Sequence, residues 1–322
     1  MGGNPKARID LRGRALLLSA LLFAPAATAT EVDSFTVRGD EVSDVTQLVN
    51  AETRWRITAA VDRANRVSSD CDRDVLLRSL GQTLRANVLG AFMVSPLEFY
   101  ANYSPDVSGV RIRKADSIYR NVWFYESVPI TFYPLGEVIR VNDVVIGGDK
   151  FSHFFNVGWE YYRRAQREGG SVEQALDFGT GSEQGIWGQA TTGVFSWADL
   201  ASNFDGMRFW ARVTGEPDAL GDDAQPYVRC EAGEWVEAAQ FSWEEWVTDA
   251  WDEGINCNSY AQRLEGAIEA AMEEASSDEY VFSCPVEPLA CEAISTNYHP
   301  YTERLISPEC RSYQRNLAEV SQ

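Results

Sequence analysis

The sequence predicts a mainly α-helical (α+β) protein with a small β-hairpin element and a disulfide-stapled helical C-terminal part. Three observations predict it. Several stretches carry apolar residues at helical spacing behind capping residues. Short β-prone runs concentrate in one region, 96–148. Five of the six cysteines lie beyond residue 229.

The elements follow in order. Residues 1–29 have the form of a secretory signal. Lys6, Arg8, Arg12 and Arg14 make a basic start, Ala15 to Ala24 is apolar but too short to span a bilayer, and Ala27-Thr28-Ala29 fits the small-residue cleavage rule. The rest, 30–322, reads as one globular unit with a core over 30–213 and a Cys-rich helical part over 214–322. Residues 30–50 are polar and predict extended or loosely ordered chain. Asp70 to Ala91 predicts a helix with Asp70 as N-cap. SVPITFYP and GEVIRVNDVVIGG predict a small sheet or hairpin.

Asp149 to Arg167 predicts a helix capped by Asp149, with a basic cluster near its end that suits the dipole. Ser171 to Glu183 predicts a second, with Ser171 as N-cap and Gln174 at the capping-box position. Asp199 to Val213 predicts a third. Residues 214–226 make a loop. Ser242 to Glu253 begins with a capping box, Ser242 and Glu245, and Cys257 to Ala275 predicts a further helix. The tail from Ser283 is expected to be irregular but tied down.

Charge and cysteines bound the partners. The formal net charge is -20, and loss of the signal removes four basic residues and one acidic one, leaving -23. Nucleic acid and anionic lipid need a positive footprint, so this charge argues strongly against both as partners. An amine-bearing polymer would be attracted. No stretch after the signal is long and apolar enough for a membrane span. The localisation expected is periplasmic or secreted, and in that oxidising setting Cys71, Cys230, Cys257, Cys284, Cys291 and Cys310 predict three disulfides. Six cysteines allow fifteen pairings, so the pairing stays open.

The stretch Glu183 to Gly206, EQGIWGQATTGVFSWADLASNFDG, has the composition of a site rather than of a core. Glu183 falls at a helix C-terminus, where the dipole is negative, and Ile186 and Trp187 can desolvate it. Both effects raise a carboxyl pKa, as a general acid acting on a glycosidic oxygen requires. Thr191, Thr192 and Ser196 can hold water or sugar hydroxyls. Trp187, Trp197 and Trp210 can stack on sugar rings, and Asn203 is a further substrate contact. A second carboxylate would come from Asp199, Glu173 or Asp205. Retaining hydrolysis needs it roughly 5 Å away and inverting hydrolysis roughly 6.5–9.5 Å.

A glutamate ending a helix with a hairpin after it resembles the layout of the lysozyme-like superfamily. GQATTGVFSWADLASNFDG is similar to the turn after the acid in bacterial transglycosylases. DKFSHFFNVGWEYY together with TTGVFSWADL resembles a family of exported bacterial proteins associated with deacetylation-specific lysozymes of predatory bacteria. The similar region runs from about Ser117 to Trp210, roughly a third of the chain. The resemblance implies muramidase-type cleavage of peptidoglycan or another amino-sugar polymer, with Glu183 as the acid. The Glu-Ser pair and Gly-Leu-Met run of transglycosylases are absent, which leaves hydrolysis as the default.

Asp149 and His153 are four apart and share a helix face. They are expected to support the cleft. DKxxHF also resembles the signature of VanZ-like membrane proteins, whose membrane spans this sequence lacks. A metal site would need Asp149 and His153 plus Glu160 or Asp143. With two histidines and oxidised cysteines, no metal ligand is assigned. No phosphate-cradling Gly loop, GxSxG elbow or Rossmann fingerprint is present, so no cofactor is expected. Two alternatives remain beside the glycosidase: a non-catalytic envelope protein that binds glycan or protein, and a metal-dependent hydrolase on Asp149 and His153.

Overall fold

A computed structural model describes residues 31–39, 41–86, 94–185, 188–276 and 283–313. The chain is mainly helical, with two-stranded antiparallel sheets. Residues 31–37, expected to be loose, form a buried plug. Val32, Phe35 and Val37 enter the core, and the Asp33 carboxylate accepts from the backbone N–H groups of Phe35, Thr36 and Ile118. The first long helix, α1 (Thr46–Val67), was not foreseen. The helix expected from Asp70 is α2 (Arg73–Leu84), and its cap is Asp72, whose carboxylate accepts from the N–H groups of Asp74 and Val75. α3 (Pro96–Tyr103) follows with Ser95 as cap.

SVPITFYP is not a strand. Ser127 caps a short helix, α4 (Val128–Phe132), with Pro129 in its first turn, where a missing N–H costs nothing. GEVIRVNDVVIGG does form the expected hairpin, β1 (Val138–Val141) with β2 (Val144–Gly147). Asn142 and Asp143 make its turn at φ 54° and 62°, the left-handed pair that a two-residue hairpin loop needs.

The hairpin delivers the chain into α5, which runs through three registers: Lys150–Ser152, a π turn at His153–Val157, and Gly158–Gln166. α6 (Val172–Gln184) has its expected cap, with Ser171 Oγ accepting from the Gln174 N–H. α7 (Trp197–Val213) is capped by Ser196 rather than begun by Asp199. The expected hairpin after Glu183 does not form. The chain turns through 188–193, and β3 (Val194–Phe195) pairs with the distant β6 (Ser259–Tyr260). The pairing with β6 also delays the last long helix, α8 (Gln262–Ala275).

β4 (Val228–Glu231) and β5 (Glu234–Glu237) make a second, unforeseen hairpin. The helix expected over 242–253 is two single 3₁₀ turns, Trp243–Glu245 and Asp249–Trp251, and Ser242 bonds Glu244 instead of capping. Trp243, Trp246, Val247, Ala250 and Trp251 are all buried and keep the i, i+3, i+4, i+7, i+8 spacing of one helix face, although the backbone between the two turns is not helical. Short helices in the tail include α9 (Ala290–Asn297) and α10 (Thr302–Leu305).

The core is aromatic. Phe154, Phe155, Phe209, Trp210, Trp243 and Trp251 are fully buried and meet edge-to-face or tilted. Two glycines let α5 and α7 touch by backbone. A Cβ on Gly158 would lie 2.6 Å from the Cα of Gly206. A Cβ on Gly206 would run into the carbonyl oxygen of Phe154. This approach sets the polar faces of the two helices against each other. Disulfides join Cys71 to Cys230, Cys257 to Cys284 and Cys291 to Cys310, and the first ties the α1–α2 turn to β4.

Candidate active site

α5 brings Asp149, Lys150 and His153 to the α5–α7 contact, and α7 brings Asp199 and Asn203 at the same i, i+4 spacing. Lys150 is fully buried, and its ammonium lies 2.9 Å from Asp149 Oδ2, 2.7 Å from Asp199 Oδ1 and 2.6 Å from Glu253 Oε1. Asn258 Nδ2 donates to the other Glu253 oxygen at 2.8 Å. His153 bridges the helices: Nε2 lies 3.2 Å from Asp199 Oδ2, and Nδ1 lies 3.1 Å from Asn203 Oδ1. An imidazolium satisfies both contacts, and a neutral ring satisfies both only with the Asn203 amide turned over.

Glu183 ends α6 beside this group and is buried, 6% exposed. Burial, then the charges of Asp199 and Glu31, push its carboxyl well above the usual range, against the Ser196 N–H and the Lys150 charge. Burial also pushes Asp199 up, but the charges of His153 and Lys150 and the hydrogen bonds from Lys150 and Ser196 outweigh it, and Asp199 titrates below the ordinary aspartate range. Two neighbouring carboxyls are thus driven apart, one toward the acid and one toward the carboxylate. Lys150 is held well above its ordinary value because Asp149, Asp199 and Glu253 together overcome its burial.

More carboxyls stand around the pair. Burial, then the charge of Lys150 against those of Asp149 and Asp199, sets Glu253 at about 7. Burial and the surrounding acids lift Glu31, which bonds Thr192, to about 8. Burial lifts Glu98, which accepts from the Ser152 hydroxyl, to about 8.

The expected site residues divide. Glu183, Asp199, Asn203, Asp149 and His153 come together. Glu173 does not: it is exposed in the first turn of α6, at the opposite end of the helix from Glu183, and is removed as the second carboxylate. Asp205 is also excluded, since it is buried in bonds to Arg208, Trp251 and Tyr298. Asp149 stands at the N-cap position of α5, but its carboxylate goes to Lys150 and makes no cap.

Ser196 spends its hydroxyl capping α7 through the Asp199 N–H, and Asn203 holds His153, so both position the site from within. Thr192 bonds locally to the backbone of Gly188 and Val194, and Thr191 is exposed on the same turn. Trp197 is half-buried and donates to Ser259 Oγ. Trp210 is in the core, donating to the Phe155 carbonyl, and cannot stack on a sugar. Trp187 lies outside the described residues.

Asp149, His153 and Asp199 each offer a ligand atom within 4.8 Å of the others and could hold a metal ion. Lys150 already bonds both carboxylates, so a divalent ion there would meet a fixed positive charge. The other suggested ligands are elsewhere: Glu160 pairs with Arg163 and Arg164, and Asp143 is in the hairpin turn.

Lys150, Glu253, Asn258, Glu31 and Glu98 were not foreseen. Lys150 had a signal, a lysine inside an otherwise apolar helix start; Glu253, 103 residues away from it, had none. Among the described residues no helix is long and apolar enough to cross a membrane. Three disulfides suit an oxidising compartment. In comparisons with known proteins, no family model matches the chain, and neither a curated protein nor a solved structure matches it.

Proposed function

We propose that the protein is an exported glycoside hydrolase acting on bacterial cell-wall peptidoglycan, with preference for its deacetylated, glucosamine-containing form. The observation that carries the reading is the burial of Glu183 beside an Asp199 carboxylate held by Lys150 and His153, an arrangement that favours the acid form of one and the ionised form of the other. In this reading Glu183 protonates the glycosidic oxygen. Asp199, kept ionised by His153 and Lys150, stabilises the developing oxocarbenium charge or activates water. Asn203 orients His153.

Two features support a long, amine-bearing substrate. The acidic net charge attracts a cationic polymer. Exposed Trp123, Phe124 and Tyr125 stand on a segment bonded to the turn after Glu183, because Arg263 donates to the carbonyls of both Glu126 and Gln189. The test is release of reducing ends from native and N-deacetylated peptidoglycan by wild type and Glu183→Gln. Equal turnover by the two proteins removes Glu183 from the chemistry, and binding without any product favours a glycan-binding role.

A second reading, a metal-dependent hydrolase, is favoured by the convergence of Asp149, His153 and Asp199. Elemental analysis of the purified protein decides it: a stoichiometric divalent metal lost in Asp149→Asn supports it, and no bound metal with retained activity rejects it.

A further inference from the structure

The charge of this protein is unevenly placed. A chain of net charge -20 gathers six arginines around two adjoining hollows between α2 and the end of α5, whose lining holds two carboxylates, Asp74 and Glu160, with Glu216 beside Arg73. The hollows measure about 380 and 440 Å³ and share Leu77.

Four of the arginines have local reasons to be there. Arg163 and Arg164 pair with Glu160 near the C-terminus of α5, where the dipole favours cations. Arg73 pairs with Glu216, and Arg167 donates to Gln174. Arg78 and Arg85 are different, since neither has an ion-pair partner among the described residues. Arg78 on α2 and Arg85 just after its end line the same hollow. The Arg85 guanidinium lies 4.9 Å from the ring centre of Trp159, and its buried Nε has no hydrogen-bond partner. Burial, and the Arg163 charge against that of Glu160, pull Arg85 down to about 10, so it remains charged at neutral pH.

A guanidinium stacked on an indole and half stripped of water presents a planar edge of N–H donors. A second, unpaired guanidinium beside it doubles the charge. A single carboxylate is met by one such fork, whereas a phosphate monoester, with nearly two charges and three free oxygens, can engage two. We propose that this face binds a phosphate monoester group carried on an envelope polymer, with Arg78 and Arg85 as the anion-binding pair. The reading is independent of chemistry at Glu183.

Calorimetric titration with tripolyphosphate tests it, using wild type, Arg78→Gln/Arg85→Gln, Arg85→Lys and Glu183→Gln. Wild type and Glu183→Gln should bind one equivalent, more weakly as salt rises. The double variant should bind at least about tenfold more weakly, the loss of charge-assisted hydrogen bonds. Arg85→Lys, which keeps the charge and loses the fork, should fall between. Thermal unfolding checks that the double variant is folded; should it not be, Arg85→Lys decides, and affinity equal to wild type overturns the proposal. No binding by wild type at low salt overturns it, as does binding by the folded double variant equal to wild type. Polyglutamate binding as tight as tripolyphosphate overturns the preference for phosphate.

Discussion

His153 Nε2 stands 3.2 Å from Asp199 Oδ2, and its Nδ1 stands 3.1 Å from Asn203 Oδ1, so one ring ties α5 to two successive turns of α7. The contact favours the ionised form of Asp199, together with the Lys150 charge and the hydrogen bonds from Lys150 and Ser196, against the burial of that carboxyl.

Replacing His153 with Gln keeps a polar side chain and removes the charge. The Asp199 pKa should rise, and with it the acid limb of the pH–rate profile of glycan hydrolysis. A limb that stays in place would show that Asp199 is not the group it reports.

Glu183→Gln keeps shape and loses the proton. Turnover should fall by about 10²–10⁴, the usual contribution of a positioned general acid, with thermal stability at neutral pH kept or raised, since no buried carboxyl can then ionise there. Rate and melting temperature measured on one preparation separate the two effects.

Stability should fall as pH rises. Glu31 and Glu98 have folded values of about 8 and Glu253 about 7, all above the ordinary 4.5. For groups raised on folding, the folded chain binds more protons than the unfolded one between those values. Their contribution is complete below about 4.5 and is lost as the pH climbs through 7 to 8. Melting temperatures at pH 5 and pH 8.5 should show the drop, and Glu98→Gln should flatten it.

Lys150→Met leaves three carboxylates without their ammonium. The cost should be about 3–5 kcal/mol, as for a broken buried ion pair, read from denaturant titration. Adding Glu253→Gln should recover part of it, since the two groups are in direct contact.

Gly206→Ala tests the helix contact itself. Its Cβ would run into the Phe154 carbonyl. The shift needed should cost about 1–3 kcal/mol, typical of overpacking, and should loosen the His153–Asp199 bond, so activity should fall more than stability alone explains.

How much of this was legible depends on how local each signal is. The hairpin carried its turn, α6 and α7 their serine caps and α5 its periodicity, and Asp149, His153, Glu183 and Asp199 sit on or beside these helices. α1 was missed because its buried face includes Thr46, Asn50 and Thr53, which blunt an apolar pattern. Ser196 looked like a sugar contact because a serine before an aspartate three residues on reads equally as a site and as a cap. The partners of Lys150 come from three separate segments, and no spacing rule joins 150 to 253. The hairpin expected after Glu183 failed because its second strand lies some sixty residues later, in β6.

The disulfide between Cys71 and Cys230 closes a covalent ring through which the α5, α6 and α7 segments all pass. Asp149, Lys150, His153, Glu183 and Asp199 are inside that ring, and Glu253 is outside it. Oxidation therefore lowers the conformational freedom of the unfolded segment that carries five of the six groups, while the sixth arrives from chain beyond the closure. A protein kept under reducing conditions loses that constraint, so assembly of the site is tied to the redox state of the compartment in which the chain folds.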